Sequence, residues 1–139
     1  MKMKLKIFAA VAGTVTAVSA LTGCVSTVSD TKSFGFPIAQ DKVEGRYNRS
    51  VDQVYGAAVA VVKNNGAIVT EFIPHNTTNE VRSLEARVNQ QEVWVRVSAV
   101  DPMKPITSIL VQARTKGGMA NIDLAHELEK EVALELARE

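Results

Sequence analysis

Four consecutive segments with strand character, separated by short polar turns, restrict the possible folds of this chain more than any other feature. They span residues 67–73, 80–88, 92–100 and 106–115, and in them β-branched or other apolar residues alternate with polar ones. The turns between them are three to six residues long, whereas a parallel crossover needs about a dozen or more. The four strands are therefore expected to pair antiparallel.

Two amphipathic helices are predicted on either side of these strands. The first begins at Ser50, which forms a capping-box pattern with Gln53, and it ends at Asn64-Asn65-Gly66, a sequence typical of a left-handed helix end. The second is capped by Asn121 or Asp123. The apolar stripes comprise Val51, Val54, Tyr55, Ala58, Val59 and Val62 in the first helix, and Ile122, Ala125, Leu128, Val132 and Leu136 in the second.

One more strand, residues 40–47, precedes the first helix and places Val43, Gly45 and Tyr47 on one face. The element order is thus β-α-β-β-β-β-α. Such an order buries one sheet face most simply beneath both helices. The predicted fold class is therefore α+β, an antiparallel sheet of four to five strands with two helices packed on one face. Residues 39–139 form this single domain.

The first 23 residues have the pattern of a signal peptide. Lys2, Lys4 and Lys6 provide a cationic start, and residues 7–21 form a run of 15 that are apolar or small apart from two threonines and a serine. A membrane-spanning helix needs roughly 17 to 25 such residues. Residues 1–23 are therefore predicted to be a removable signal peptide rather than a membrane anchor.

The signal ends in Leu21, Thr22, Gly23 and Cys24, which resemble the lipobox of bacterial lipoproteins. The resemblance implies cleavage before Cys24, a diacylglycerol on its thiol, and acyl chains such as palmitate at the new N-terminus. The alternative is an ordinary secretory signal followed by an unmodified cysteine. Val25, where an Asp would retain enteric lipoproteins at the inner membrane, implies an outer-membrane location facing the periplasm.

The predicted mature chain is small and faintly acidic. Removal of 23 of the 139 residues leaves 116, with 13 basic and 15 acidic side chains and a formal net charge of −2. Such a chain has no electrostatic attraction to nucleic acid or to anionic lipid surfaces, so we predict no nucleic-acid partner, and attachment to the membrane rests on the lipid. Residues 24–38 comprise the lipidated cysteine and a flexible tether. With Cys24 as the one cysteine, no internal disulfide is expected.

The layout as a whole is similar to a family of small bacterial lipoproteins with no assigned activity. The residues that carry the resemblance are the lipobox, the short tether, Ser-Val-Asp-Gln-Val-Tyr-Gly-Ala-Ala at 50–58, the hairpins, and the glycine-containing loop before the last helix. The resemblance implies a fold and a location, and it implies no reaction.

No catalytic residue, metal ligand set or cofactor is predicted. The two histidines are His75, in a polar turn, and His126, which has Asp123 and Glu129 within one helical turn. These three could make a weak metal site, but an exposed histidine among helix charges is the favoured interpretation. Residues 116–120 could bind phosphate through loop amides, but they favour a strand-to-helix turn. The other carboxylates of this helix, interpreted as a solvated face, are Glu127, Glu131, Glu135 and Glu139.

Two binding hypotheses follow. In the first, a protein or envelope polymer binds the sheet face opposite the helices, around Trp94, Arg96 and Arg114, because tryptophan and arginine dominate binding surfaces. A cross-strand ladder that only keeps this face soluble would use the same residue types. Further side chains expected on the face are Glu44, Arg46, Glu71 and Arg87. In the second hypothesis, a small ligand occupies a pocket between helices and sheet, lined by Tyr55, Phe72 and Met119.

Overall fold

A computed structural model describes residues 23–29, 32–35, 41–74 and 80–139. Its elements are β1 (Gly23–Ser26), β2 (Lys32–Gly35), β3 (Lys42–Tyr47), α1 (Val51–Asn65), β4 (Gly66–Phe72), β5 (Val81–Val88), β6 (Gln91–Asp101), β7 (Ile106–Arg114) and α2 (Ile122–Arg138). From β3 to α2 this is the predicted order. The strands β1 and β2 form a separate hairpin, which the sequence patterns do not predict.

The main sheet has five antiparallel strands in the order β3-β7-β6-β5-β4. Because β3 and β4 lie at opposite edges, α1 has to cross the sheet to connect them, and it packs on β4, β5 and β6. The second helix packs beside α1 and covers β7 and β3. The predicted α+β class, with an antiparallel sheet and two helices, is confirmed.

The core lies between this sheet face and the two helices. Its sheet side consists of alternate strand residues that are almost fully buried: Val43, Leu84, Ala86, Val88, Val93, Val95, Val97, Ile109, Val111 and Ala113. The helices contribute the predicted stripes, with Ala57, Val61 and Leu124 in addition, while Val59 and Ile122 are only partly buried. Full burial of one such valine or leucine contributes roughly 1.5 to 3 kcal/mol, so this layer stabilises the fold.

The start of α1 is set by a local cap, and its end is set by pairing with a distant strand. At the start, the Gln53 amide donates to Ser50 Oγ at 3.3 Å, and the Ser50 amide donates to Gln53 Oε1 at 3.2 Å, which confirms the capping box. At the other end, the predicted left-handed glycine is wrong, because Gly66 is extended with φ −174°. A Cβ at Gly66 would lie 2.1 Å from the carbonyl oxygen of Arg87. Glycine is therefore needed for close strand pairing, since β4 begins directly after the helix.

Contact between α2 and the edge strand β3 depends on Gly45. A Cβ at this position would lie 2.3 Å from Glu129 Oε1, so the missing side chain makes room for the Glu129 carboxylate above the strand. The Tyr47 hydroxyl donates a hydrogen bond to that carboxylate. Burial, and then the contact with Glu129, raise the pKa of Tyr47 above its usual value, so the phenol remains a proton donor.

A β-bulge in the edge strand β4 changes which side chains face the helices. The register shifts between Ile68 and Thr70, so Val69 is the extra residue and is exposed. Beyond the bulge Glu71 pairs with Leu84, a core residue. Glu71 therefore lies on the helix side of the sheet, and its predicted position on the opposite face is wrong.

The β5–β6 hairpin closes through a tight turn whose two central residues have positive φ. They are Asn89 at 51° and Gln90 at 62°, between the paired residues Val88 and Gln91. These values indicate a type I′ turn, in which asparagine followed by glycine is the preferred sequence. Asn89 suits its position, whereas Gln90 adopts a conformation that a side chain disfavours.

We expect Gln90→Gly to raise the free energy of unfolding by about 0.5 to 1 kcal/mol, because relief of the left-handed strain exceeds the added chain entropy. Urea denaturation of the purified protein measures the change. The matched control is Gln90→Ala, which keeps a Cβ and should leave the midpoint nearly unchanged. Equal stabilisation by both variants would contradict the turn assignment.

Candidate functional site

The second face of the sheet, defined as the side away from the helices, carries the three side chains singled out from the sequence. Trp94 pairs with Gln112, and Arg96 pairs with Leu110. Arg114 pairs with Glu92. Because directly paired residues point to the same side, the structure brings Trp94, Arg96 and Arg114 onto one face, as expected.

The exposure of this face differs from the expectation. Trp94 is only 4% exposed and Arg114 only 1%, while Arg96 is half-buried. An open face centred on an accessible tryptophan is therefore not what the structure contains. Trp94 and Arg114 are covered, and a part of the N-terminal segment lies against this face.

The cover is the segment 27–29, which we call the strap. The amide of Val28 donates to Gln112 Oε1 at 3.1 Å, and its carbonyl oxygen accepts from Arg96 Nη1 at 3.5 Å. Ser29 Oγ donates to the carbonyl oxygen of Leu84 at 3.3 Å. The strap thus crosses β7, β6 and β5 in turn. Gln112 and Arg96 are the immediate neighbours of Trp94 on this face, so hydrogen bonds to both neighbours hold Val28 beside the position of the indole.

The strap lies within the segment 24–38, for which a flexible tether is predicted. Thr27, Val28 and Ser29 are all more than nine-tenths buried, and the strands β1 and β2 flank them. The difference arises because the strap is held by hydrogen bonds to distant strands, which produce no local periodicity. Residues 1–22, including Leu21 and Thr22 of the lipobox, lie outside the described residues. Cys24 lies in β1, where its backbone pairs with Phe34.

Arg114 has a structural role at the edge of this face. Its guanidinium forms a buried ion pair with Asp41, and Nη1 donates to the carbonyl oxygen of Gly118 at 3.1 Å. Asp41 also accepts from Gln112 Nε2 at 2.5 Å. A buried charge is costly unless it is paired and hydrogen-bonded, and here Asp41 pairs the charge while Asp41 and Gly118 accept from the two terminal nitrogens. Arg114 therefore joins β7 to the chain before β3 and to the loop before α2.

The loop 116–120 is a turn in which two amides are engaged by Thr115. The Gly118 amide donates to the Thr115 carbonyl at 2.8 Å, and the Met119 amide donates to Thr115 Oγ1 at 3.2 Å. Gly118 has φ 84°, a value that favours glycine. The favoured interpretation as a strand-to-helix turn describes these contacts, and the two amides are not directed at a ligand.

The histidine and carboxylate candidates are separate groups. His75 lies outside the described residues, and His126 is exposed on α2. The Glu129 carboxylate near it is bound to Tyr47. Glu131 accepts from Asn65 Nδ2 at 2.6 Å, which links the two helices. Within the described segments, no three histidine, cysteine, aspartate or glutamate side chains are placed to hold a metal ion.

The residues predicted to line a ligand pocket do not come together. Tyr55 is buried in the core, Phe72 lies on the second face, and Met119 is 56% exposed in a loop. Burial, followed by the nearby Glu71 carboxylate, raises the pKa of Tyr55 to about 12. A cavity of about 600 Å³ lies elsewhere, between the start of α1 and the β6–β7 hairpin. The prediction that Tyr55, Phe72 and Met119 line one pocket is therefore wrong.

Comparison with known proteins does not assign the chain to a family. No protein-family model matches the chain, and no curated protein is detectably similar to it. Among the described residues, no helix has both the length and the apolar character needed to cross a membrane. The candidate site is therefore defined by geometry alone, as the second face with its strap.

Sequence reasoning did not identify Gln112, Asp41 or the strap as parts of this site. The sequence contained one signal, because Gln112 is a polar residue within β7. The structure shows this side chain 1% exposed. A buried amide needs hydrogen-bond partners. The partners that the structure supplies are the strap on one side and Asp41 on the other.

Trp94 is the one tryptophan of the chain, so its fluorescence reports on the strap. We expect Val28→Asp to detach the strap, because a carboxylate is unfavourable at a site only 7% exposed. The emission should shift to longer wavelength and acrylamide quenching should increase, while far-UV circular dichroism stays the same. The control is Val69→Asp, at a site 63% exposed, and it should leave the emission unchanged. Unchanged emission in Val28→Asp would show that the strap does not cover the indole.

Proposed function

We propose that this chain is a lipid-anchored protein of the bacterial cell envelope, attached through Cys24 and located at the outer membrane on the periplasmic side. The observation that carries the proposal is the lipobox pattern of Leu21, Thr22, Gly23 and Cys24 directly after a cationic and apolar signal. Acyl chains bury methylene groups at about 0.8 kcal/mol each, so two or three chains give stable attachment.

We expect metabolic labelling with a palmitate analogue to tag the wild-type protein and to fail with Cys24→Ala, because the variant lacks the thiol that receives the lipid. The matched control is Val25→Ala, which leaves the lipobox intact and should be labelled like the wild type. Label on the Cys24→Ala protein would refute lipidation at this residue. Fractionation of the labelled wild type into inner and outer membranes tests the location separately.

We further propose that the domain is a non-enzymatic interaction module whose contact surface is the exposed part of the second face. Its support is the charge pattern around the strap. Arg46 and Glu44 keep 66% and 45% of their side chains exposed while they pair at 2.9 Å. Arg87 is exposed near the other end of the face. Long cationic side chains on a rigid antiparallel sheet suit contact with an extended anionic or polar surface.

Charge reversal tests this contact surface. We expect Arg46→Glu combined with Arg87→Glu to reduce the crosslinking of the anchored protein to envelope components in intact cells, because it replaces two exposed cations of the second face by anions and makes the face net negative. The matched control reverses two exposed lysines on the helix side, Lys63→Glu with Lys130→Glu, and should crosslink like the wild type. Equal crosslinking by both double variants would exclude the second face.

A further inference from the structure

The docked strap limits how far the domain can lie from its anchor. Three residue steps separate Cys24 from Thr27, and a chain spans at most about 3.3 to 3.6 Å per residue, or roughly 10 Å here. A free tether over residues 24–38 would instead reach roughly 50 Å. Thr27 is buried on the sheet, with 5% of its surface exposed. A lipid on Cys24 therefore holds the second face within roughly 10 Å of the bilayer.

The helix side and the second face of the domain differ in net charge. Among the described residues, α2 carries five acidic and two basic side chains, and α1 carries one of each. Arg114 of the second face is paired with Asp41. The other charged strand residues of that face are four basic, Lys42, Arg46, Arg87 and Arg96, and four acidic, Glu44, Glu85, Glu92 and Asp101. The helix side is therefore net negative, whereas the second face is close to neutral.

We infer that the surface that the second face contacts is the membrane itself, with the strap holding this face against anionic phospholipid headgroups and the helices turned away. The inference rests on the proposed lipidation of Cys24 and names the partner of the proposed contact surface. The acyl chains supply the attachment. The strap determines which side of the domain faces the lipid, and this orientation keeps the carboxylates of α2 away from the anionic headgroups that repel them.

The single native cysteine makes this orientation measurable. When Cys24 is lipidated its sulfur is blocked, so an engineered cysteine is the one free thiol. Lys42→Cys places that thiol on the second face, where residue 42 pairs with Gln112 beside the strap. Lys130→Cys places it on the exposed side of α2 and removes the same charge. A helix with its side chains is about 10 to 12 Å across, so the second site lies at least that much farther from the lipid.

The experiment uses the full-length lipidated protein, with a fluorophore on the engineered thiol, in vesicles of phosphatidylethanolamine with a minor fraction of phosphatidylglycerol. A lipid with a spin label on its headgroup quenches fluorophores that lie close to the bilayer surface. We expect the label at residue 42 to be quenched roughly threefold or more relative to the label at residue 130, because more than one helix diameter separates the two depths.

Failure of the orientation and failure of the lipid anchor give different results. Intact mass spectrometry first shows whether the acyl groups are present. Equal quenching of the two labels on an acylated chain, or stronger quenching at residue 130, overturns the orientation and leaves lipidation standing. Absence of the acyl groups overturns lipidation, and the orientation that rests on it fails as well.

A strap variant separates orientation by the strap from orientation by charge. Combined with each labelled cysteine, Val28→Asp should bring the two quenching values together, because the domain is then free on a tether five times longer than the docked segment. A difference that persists in the acylated Val28→Asp protein would show that the strap does not orient the domain. In the Val69→Asp control, the labels at residues 42 and 130 should keep the difference in quenching that they show in the protein with the native strap.

Discussion

Burial of the valine-rich sheet face beneath two helices is the interaction on which the rest of the structure depends. The helix α1 has to cross that face to connect the two edge strands, β3 and β4, and α2 fills the remaining half. Since side chains alternate along a strand, sealing one face places every intervening residue on the other. The second face, and with it Trp94, Arg96 and Arg114, is positioned by the core rather than by any contact of its own.

Much of the fold could be predicted because its signals are local. Alternation identified β3 to β7, the short turns required antiparallel pairing, and Ser50 with Gln53 marked the start of α1. The errors occur where a distant strand decides a residue's conformation. Gly66 is a glycine because the Arg87 carbonyl lies close to it, and the bulge at Val69 reverses the side on which Glu71 lies. Neither feature can be recognised from the hydrophobic periodicity of the segment in which it lies.

The candidate site was predictable in position but not in exposure. The alternation of side chains along the strands placed Trp94 and Arg114 on the second face. The strap that lies against this face comes from residues 27–29, and the buried partner of Arg114 is Asp41, both far away in sequence. The strap has one apolar side chain, Val28, among small polar neighbours, and its docking uses backbone groups as much as side chains. Composition therefore indicates a linker, although the hydrogen bonds to Gln112, Arg96 and Leu84 make it part of the domain.

The side-chain amide of Gln112 links two of these features in a definite direction. Its Nε2 donates to Asp41, which is held by Arg114, and this orients Oε1 toward the Val28 amide. The docking site of the strap therefore includes a side chain that Asp41, directly before β3, holds in place. During biogenesis, we expect the N-terminal segment to remain free until the sheet has folded. Under the proposed lipidation of Cys24, the modifying enzymes would then act on an extended chain, and the same segment would become part of the folded domain afterwards.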